Sequence, residues 1–424
     1  MSISESLDTT QPSDIPPQKP SSVLSDGLPV PDESHKEKFR QIVEPHMAIE
    51  EDDLALAPAA KRTALVFRGK LLQPASEVYP LLSEKIEAQG YTLFLQRGAK
   101  KKDEVLIVEG QVLQRNIKTR WWFHLGLLLV TILTTLAAGA TFVGYDLTSM
   151  RAAVGDWNTV TLREMYHGGR QFAFPLLLIL GVHEMGHYVA ARLHKVKVTL
   201  PFFIPLPLSG IVPLSLGTMG AVIFITSPFK NRKMLFDVGL AGPLAGLLVA
   251  IPLFITGLKT QPTIGIPLEW LQQLHIDRVS VPAFLQWMAR TVYDEHQVSL
   301  IDRTVFFRHP QALAAWFGTL LTFLNLLPLG QFDGGHVAFA LFGRRVAWPL
   351  AFSVAAICVM LGLMGYWSAW LIWPLFALLT GLRHPPPHDD ITPLGWPRMI
   401  LGGITIALFF SLIVITPFYS SITR

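Results

Sequence analysis

Apolar and polar positions divide the chain into three unequal stretches. Residues 1–60 are dominated by Ser, Pro, Asp and Glu. Such a stretch buries too little apolar surface to offset the entropy of ordering, so disorder is expected there, with one short helix allowed over 34–43. Residues 61–115 change character. Thr63–Phe67 reads as a strand, and Ser76 opens an amphipathic helical stretch that Gly90 closes. Tyr91–Gln96 and Glu104–Val108 read as two further strands, joined by a basic turn through Lys100, Lys101 and Lys102. This pattern predicts a small soluble α+β domain of βαββ order, near the lower size limit for independent folding. No group of reactive side chains falls in it, which leaves an accessory or regulatory role beside a purely passive one.

Residues 116–424 read as bilayer material. A span needs about 20 apolar residues. Runs of that kind fall near 121–145, 171–193, 235–258, 311–329, 346–364, 366–382 and 399–419. The expected architecture is therefore an all-α polytopic membrane protein of about seven spans carrying the small domain at its N-terminal side. One apolar stretch cannot be a helix. Residues 200–228 contain Pro201, Pro205, Pro207, Gly210, Pro213, Gly217 and Gly220, which break a helix repeatedly. Lipid offers no hydrogen-bond partners, so this stretch is expected to be extended or re-entrant, packed against the spans or lying at the interface.

Composition supports the membrane reading. Of 424 residues, 50% are hydrophobic and only 16% charged, with a mean hydropathy of +0.39; a soluble domain carries about 25% charged residues. The net charge of +4 does not point to nucleic acid. Basic residues sit at the ends of apolar runs (Lys118, Arg120; Arg192, Lys195, Lys197; Lys230, Arg232, Lys233; Arg344, Arg345; Arg383), and no basic stretch has a groove-reading pattern. With seven alternating spans, all these clusters share one face. The positive-inside rule then puts the N-terminal domain in the cytoplasm. The loop 259–310 balances five basic against five acidic residues and falls outside. The one cysteine, Cys358, rules out an internal disulfide, and residues 1–60 contain no apolar core of a secretory signal.

The chemistry is concentrated in one span. His183-Glu184-Met185-Gly186-His187 places two imidazoles at i and i+4 on one helical face, within reach of a single metal ion. Glu184 points about 100° away around the helix. It is poorly placed as a ligand and well placed to take a proton from a water on the metal, whose pKa zinc lowers to about 7. Chance alone yields such a pattern in about one chain per hundred of this kind. Two histidines and a glutamate inside an apolar span are expensive, however, and mark a functional site.

A zinc site that does chemistry needs a third protein ligand and an open position. Asp333 is the candidate, in the segment Asn325-Leu326-Leu327-Pro328-Leu329-Gly330-Gln331-Phe332-Asp333-Gly334-Gly335-His336. Pro328 breaks the helix and the glycines permit close backbone approach. Alternatively, Asp333 caps the helix that begins at Gly334. Asn325 can either satisfy carbonyls freed by Pro328 or position a substrate carbonyl. His336 reads as a neighbour of the site rather than a ligand.

Together, His183–His187 and the 325–335 segment resemble the site-2 protease family of intramembrane zinc metalloproteases. The resemblance runs over 171–343 and includes Gly217–Ala221 and Phe236–Pro243. The soluble N-terminal unit and extra C-terminal spans are similar to the cyanobacterial and plastid branch. The resemblance implies zinc ligands His183, His187 and Asp333, with Glu184 as general base. It also implies a catalytic core over 171–343 and hydrolysis of peptide bonds in or near the transmembrane segments of membrane-protein substrates, as in regulated intramembrane proteolysis. Anti-sigma factors or membrane-tethered regulators suit such an enzyme, in a plasma or thylakoid membrane. Two other classes compete. A metal transporter also places His and Asp in membrane helices, but needs a ligand path across the bilayer. A proteolytically inactive scaffold would not need Glu184.

Weaker signals read as structural. Gly242 and Gly246 suggest close helix packing. Asp237 reads as a cap or as an ion-pair partner near Arg232 and Lys233. In His384-Pro385-Pro386-Pro387-His388, a polyproline rise of about 3.1 Å per residue separates the two histidines too far for one metal, so a stiff loop is expected.

Overall fold

The computed structural model describes residues 33–57, 62–98, 102–110, 120–143, 162–206, 216–260, 278–291 and 308–419. The disorder expected for 1–32, the turn lysines Lys100 and Lys101, most of the loop 259–310 and the middle of the proline-rich stretch (207–215) lie outside the described residues.

The soluble unit begins earlier than the pattern predicts. Helix α1 (Glu33–Val43) occupies the position allowed for a short helix, and β1 (Met47–Ala57) follows it. Strands β2 (Arg62–Leu71), β3 (Tyr91–Arg97) and β4 (Asp103–Glu109), with helix α2 (Ala75–Glu87), complete it. The four strands form one antiparallel sheet in the order β1-β2-β4-β3. β1 falls where acidic composition suggests disorder. Its acidic run is neutralised instead: Asp52 meets Lys36 (2.7 Å) and Arg40 (3.2 Å), while Lys102 reaches Glu50 and Glu51 at 2.9 Å each. Helix α2 buries Ala75, Val78, Tyr79, Leu82 and Ile86, a spacing that lines one helical face. That face and Phe39 and Val43 of α1 pack on Leu65, Phe67, Leu93, Leu95, Val105 and Ile107 of the sheet.

Beyond residue 120 the chain is helical. Four helices contain windows long and apolar enough to cross a membrane: α3 (Trp121–Val143), α4 (Leu162–Leu193), α5 (Arg232–Lys259) and α9 (Arg344–Leu363). The other apolar helices are shorter than the predicted spans: α7 (Pro310–Asn325), α10 (Ile372–Thr380, preceded by a 3-10 turn at Ser368–Leu371) and α11 (Trp396–Ser411). Short helices α6 (Ala283–Arg290) and α8 (Asp333–Phe342) complete the set. Side chains of Phe142, Phe172, Ile179, Phe254, Trp316 and Phe323 interlock α3, α4, α5 and α7 into one core. These apolar helices fit an integral membrane protein, with the α+β unit at its N-terminal side.

The proline-rich stretch is extended as expected where described. β5 (Phe202–Pro205) and β6 (Thr218–Val222) pair antiparallel, Phe202 opposite Val222 and Phe203 opposite Ala221. The Gly217 carbonyl accepts from Leu206 N–H within the hairpin (3.0 Å) and from the Thr134 hydroxyl of α3 (2.6 Å), which ties the hairpin to that helix.

Helix ends sort into two layers. On the side of the soluble unit, Arg344 donates to Gln96 Oε1 (2.8 Å) and Arg345 to the Gly98 carbonyl (2.6 Å). On the opposite side, β7 (Arg278–Val279) pairs with β8 (Phe418–Tyr419), and Trp316 Nε1 donates to the Ser280 carbonyl at 2.9 Å. Asp237 is an ion-pair partner, although not of its sequence neighbours. Arg398 of α11 donates to both its oxygens (2.8 and 2.7 Å), and His194 at the end of α4 lies 2.9 Å away.

Candidate metal centre

Helix α4 carries His183 and His187 on one face. Their Nε2 atoms lie 3.2 Å apart, and both rings are buried. Asp333 opens α8 and turns its carboxylate into the same space: Oδ2 is 3.2 Å from His183 Nε2 and Oδ1 is 3.2 Å from His187 Nε2. The three groups offer donor atoms that all lie within 4.8 Å of one another. Asp333 does not cap its helix; α8 has Phe332 at the capping position and no side-chain cap bond.

Local backbone explains how Asp333 arrives there. Helix α7 ends at Asn325, just before Pro328. The chain then turns tightly, with Leu329 N–H donating to the Leu327 carbonyl (2.7 Å) and Phe332 N–H to that of Leu329 (2.9 Å). A Cβ at Gly334 would stand 1.9 Å from the Leu326 carbonyl oxygen, so only glycine lets α8 start against the end of α7.

The ring of His187 is fixed from behind. Its Nδ1 donates to the Val238 carbonyl of α5 at 2.7 Å, which leaves the Nε2 lone pair for the site. Helix α5 comes this close because residue 242 is glycine: a Cβ there would lie 2.1 Å from His187 Nε2. The Gly-x-x-x-Gly pattern at 242–246 was thus readable as close packing, but only the fold places Gly242 against a histidine. Val238 gave no signal, because any residue supplies a carbonyl.

Glu184 is buried beside the two histidines in sequence, at 5% exposure, and has no hydrogen-bond partner among the described residues. Asn325 ends α7, partly buried and without a hydrogen-bond partner among the described residues. His336 contacts the group only indirectly: its Nδ1 lies 2.6 Å from His384 Nε2. Two imidazoles and one carboxylate are a donor set suited to a zinc ion that takes water or substrate as its fourth ligand.

Residues 171–368, which contain His183, Glu184, His187, Asn325, Asp333 and His336, match Peptidase family M50. The chain is also similar along its length to proteins that carry the names of plastid zinc metalloproteases. It is 26% identical over 363 residues to "Probable zinc metalloprotease EGY2, chloroplastic" of Oryza sativa subsp. indica, covering 84% of this chain and 61% of the relative. It is 28% identical over 367 residues to the protein of that name from Arabidopsis thaliana, covering 84% and 60%. The Arabidopsis thaliana "Probable zinc metalloprotease EGY1, chloroplastic" is 32% identical over 246 residues, covering 56% and 41%. The chain spans about three-fifths of the length of the EGY2 relatives. No solved structure matches it significantly.

Proposed function

We propose that this chain is an intramembrane zinc metalloprotease that hydrolyses peptide bonds in or near the transmembrane segments of membrane proteins. One observation carries the reading: His183, His187 and Asp333 converge on one point inside apolar helices, with Glu184 buried next to them and uncommitted. The M50 match and the names of the EGY relatives favour the same chemistry.

In this reading His183, His187 and Asp333 hold the ion, and zinc, when bound, polarises the attacking water and the scissile carbonyl. The Glu184 carboxylate takes the proton of the water as its oxygen attacks the carbonyl carbon. The same carboxyl then gives the proton to the departing amide nitrogen as the C–N bond breaks. The Val238 carbonyl keeps His187 in the tautomer that presents Nε2 inward. Asn325 positions the substrate carbonyl.

The two-layer sorting of helix ends supports seven crossings, with α7, α10 and α11 as the short ones. The soluble unit and the Lys/Arg clusters then share the cytoplasmic or equivalent face. His187 lies six residues before the end of α4, about 9 Å along the helix axis, so water need cross little of the bilayer. The substrate is a membrane-spanning protein, with tethered regulators and anti-sigma factors as the classes the resemblance implies. A substrate helix must unwind to expose its carbonyl, and the β5–β6 hairpin is suited to hold it as an added strand.

The test is cleavage of a single-span substrate reconstituted in vesicles. Cleavage should stop on chelation, return with zinc, and be absent in Asp333→Ala. Cleavage that survives both would refute the metalloprotease reading.

A further inference from the structure

The loop between α10 and α11 joins three parts of the molecule. Its residues 388–390 lie as a short strand between β3 of the soluble unit and the segment that leads into α5. Leu95 N–H donates to the His388 carbonyl (2.7 Å) and Asp390 N–H to that of Leu95 (2.9 Å). On the other side, His388 N–H donates to the Phe229 carbonyl (3.0 Å) and Asp389 N–H to that of Lys230 (2.9 Å). The His388 ring sits against Phe94, centroids 4.8 Å apart, with its Nδ1 3.0 Å from the Tyr79 hydroxyl. The seat of the soluble unit is therefore built on this loop.

Three prolines separate His388 from His384. Proline fixes φ, so a displacement at one end is transmitted to the other rather than absorbed. His384 is buried among Phe339, His336 and Trp348, whose Nε1 donates to the His384 carbonyl at 3.2 Å. Its Nε2 lies 2.6 Å from His336 Nδ1, one nitrogen donating to the lone pair of the other. His336 stands one helical turn after Asp333. It also packs on α5, where a Cβ at Gly239 would lie 2.7 Å from His336 Cβ, beside the Val238 whose carbonyl holds His187.

We propose that His384 is a positioning residue of the metal centre, and that its proline loop carries the seating of the soluble unit to Asp333. His384 touches neither metal nor substrate; it holds His336, and through it the first turn of α8. The soluble unit thereby gains a regulatory role: whatever lifts it from the loop loosens the third ligand. This rests on His183, His187 and Asp333 being the ligands.

The experiment measures metal affinity of the full-length purified protein for Zn²⁺ alone, by competition with a chromophoric chelator, and records the visible spectrum of the Co²⁺ form. His384→Ala should weaken affinity by about threefold to thirtyfold and alter the cobalt bands, as coupling through packed neighbours does. His384→Gln, which keeps a hydrogen-bonding group, should recover part of the loss. Tyr79→Phe, in the soluble unit, should weaken affinity by about threefold or more. Thermal unfolding of each variant separates this from general misfolding. A wild-type affinity and spectrum in His384→Ala would overturn the positioning role, and a wild-type affinity in Tyr79→Phe would overturn the link to the soluble unit. A wild type that takes up no metal would overturn the ligand reading as well.

Discussion

The Nδ1 atom of His187 donates to the carbonyl oxygen of Val238 at 2.7 Å. This bond fixes the orientation of the imidazole and the helix spacing together, since α5 must lie close enough for its backbone to reach α4. The approach depends on Gly242, where a Cβ would stand 2.1 Å from His187 Nε2.

Gly242→Ala should therefore disturb the site without changing any ligand. The added methyl has nowhere to go but the ring of His187, and zinc affinity should fall by about 10–100-fold, as for loss of an orienting partner. Gly403→Ala in α11 is the control, because nothing lies within 4 Å of the Cβ it would add. Chelator competition on both variants decides the matter; equal affinities would mean that α5 yields and the close approach is not required.

The β5–β6 hairpin gives a separate expectation. Met219 lies in β6 and is 48% exposed. Met219→Pro removes a backbone donor and disfavours strand addition. It should lower the cleavage rate at least severalfold while zinc content stays at the wild-type level. Unimpaired cleavage would show that the substrate is not held as an added strand there.

The proline loop has a pH signature. The Asp390 side chain is 8% exposed, its Oδ1 has no hydrogen-bond partner among the described residues, and Arg232 Nε stands 3.8 Å away. Burial pushes its carboxyl up to about 6, against a smaller opposing pull from Arg232 and Arg344. The folded carboxyl thus keeps its proton to higher pH than an unfolded one, which titrates near 3.9. Its contribution to stability is full below about 4 and is lost as pH rises through about 6. Asn mimics the protonated acid, so Asp390→Asn should be close to neutral at pH 4 and stabilising at pH 7.5 by on the order of 1–3 kcal/mol. His388, whose burial pushes its pKa down to about 4, works with the opposite sign in both proteins and cancels in the difference. Thermal unfolding in detergent at the two pH values measures it; an offset that does not change with pH would contradict the burial of a protonated Asp390.

Much of the site is local and could be read directly. His183 and His187 are four residues apart, and their pairing follows from helical geometry alone. Asp333 needed a fold-level step, but the Pro328 break and Gly334 made the required bend visible. The long helices α3, α4, α5 and α9 stood out because apolar length is itself the signal, whereas α7 and α11 are both shorter than the apolar runs they overlap. The strand β1 was obscured by Glu50–Asp53, whose neutralising partners Lys36, Arg40 and Lys102 become neighbours only in the folded sheet. The spacing of His384 and His388 across three prolines places them too far apart for one metal. What no spacing could reveal is that His388 meets Tyr79, 309 residues away, and that His384 meets His336.

The most direct measurement compares wild type with Glu184→Gln, assaying bound zinc and cleavage of a single-span substrate in the same preparations. If Glu184 is the base of a zinc protease, both proteins hold zinc and only the wild type cuts. A Glu184→Gln protein that cuts as fast as wild type, or a wild type that binds no zinc, would contradict it.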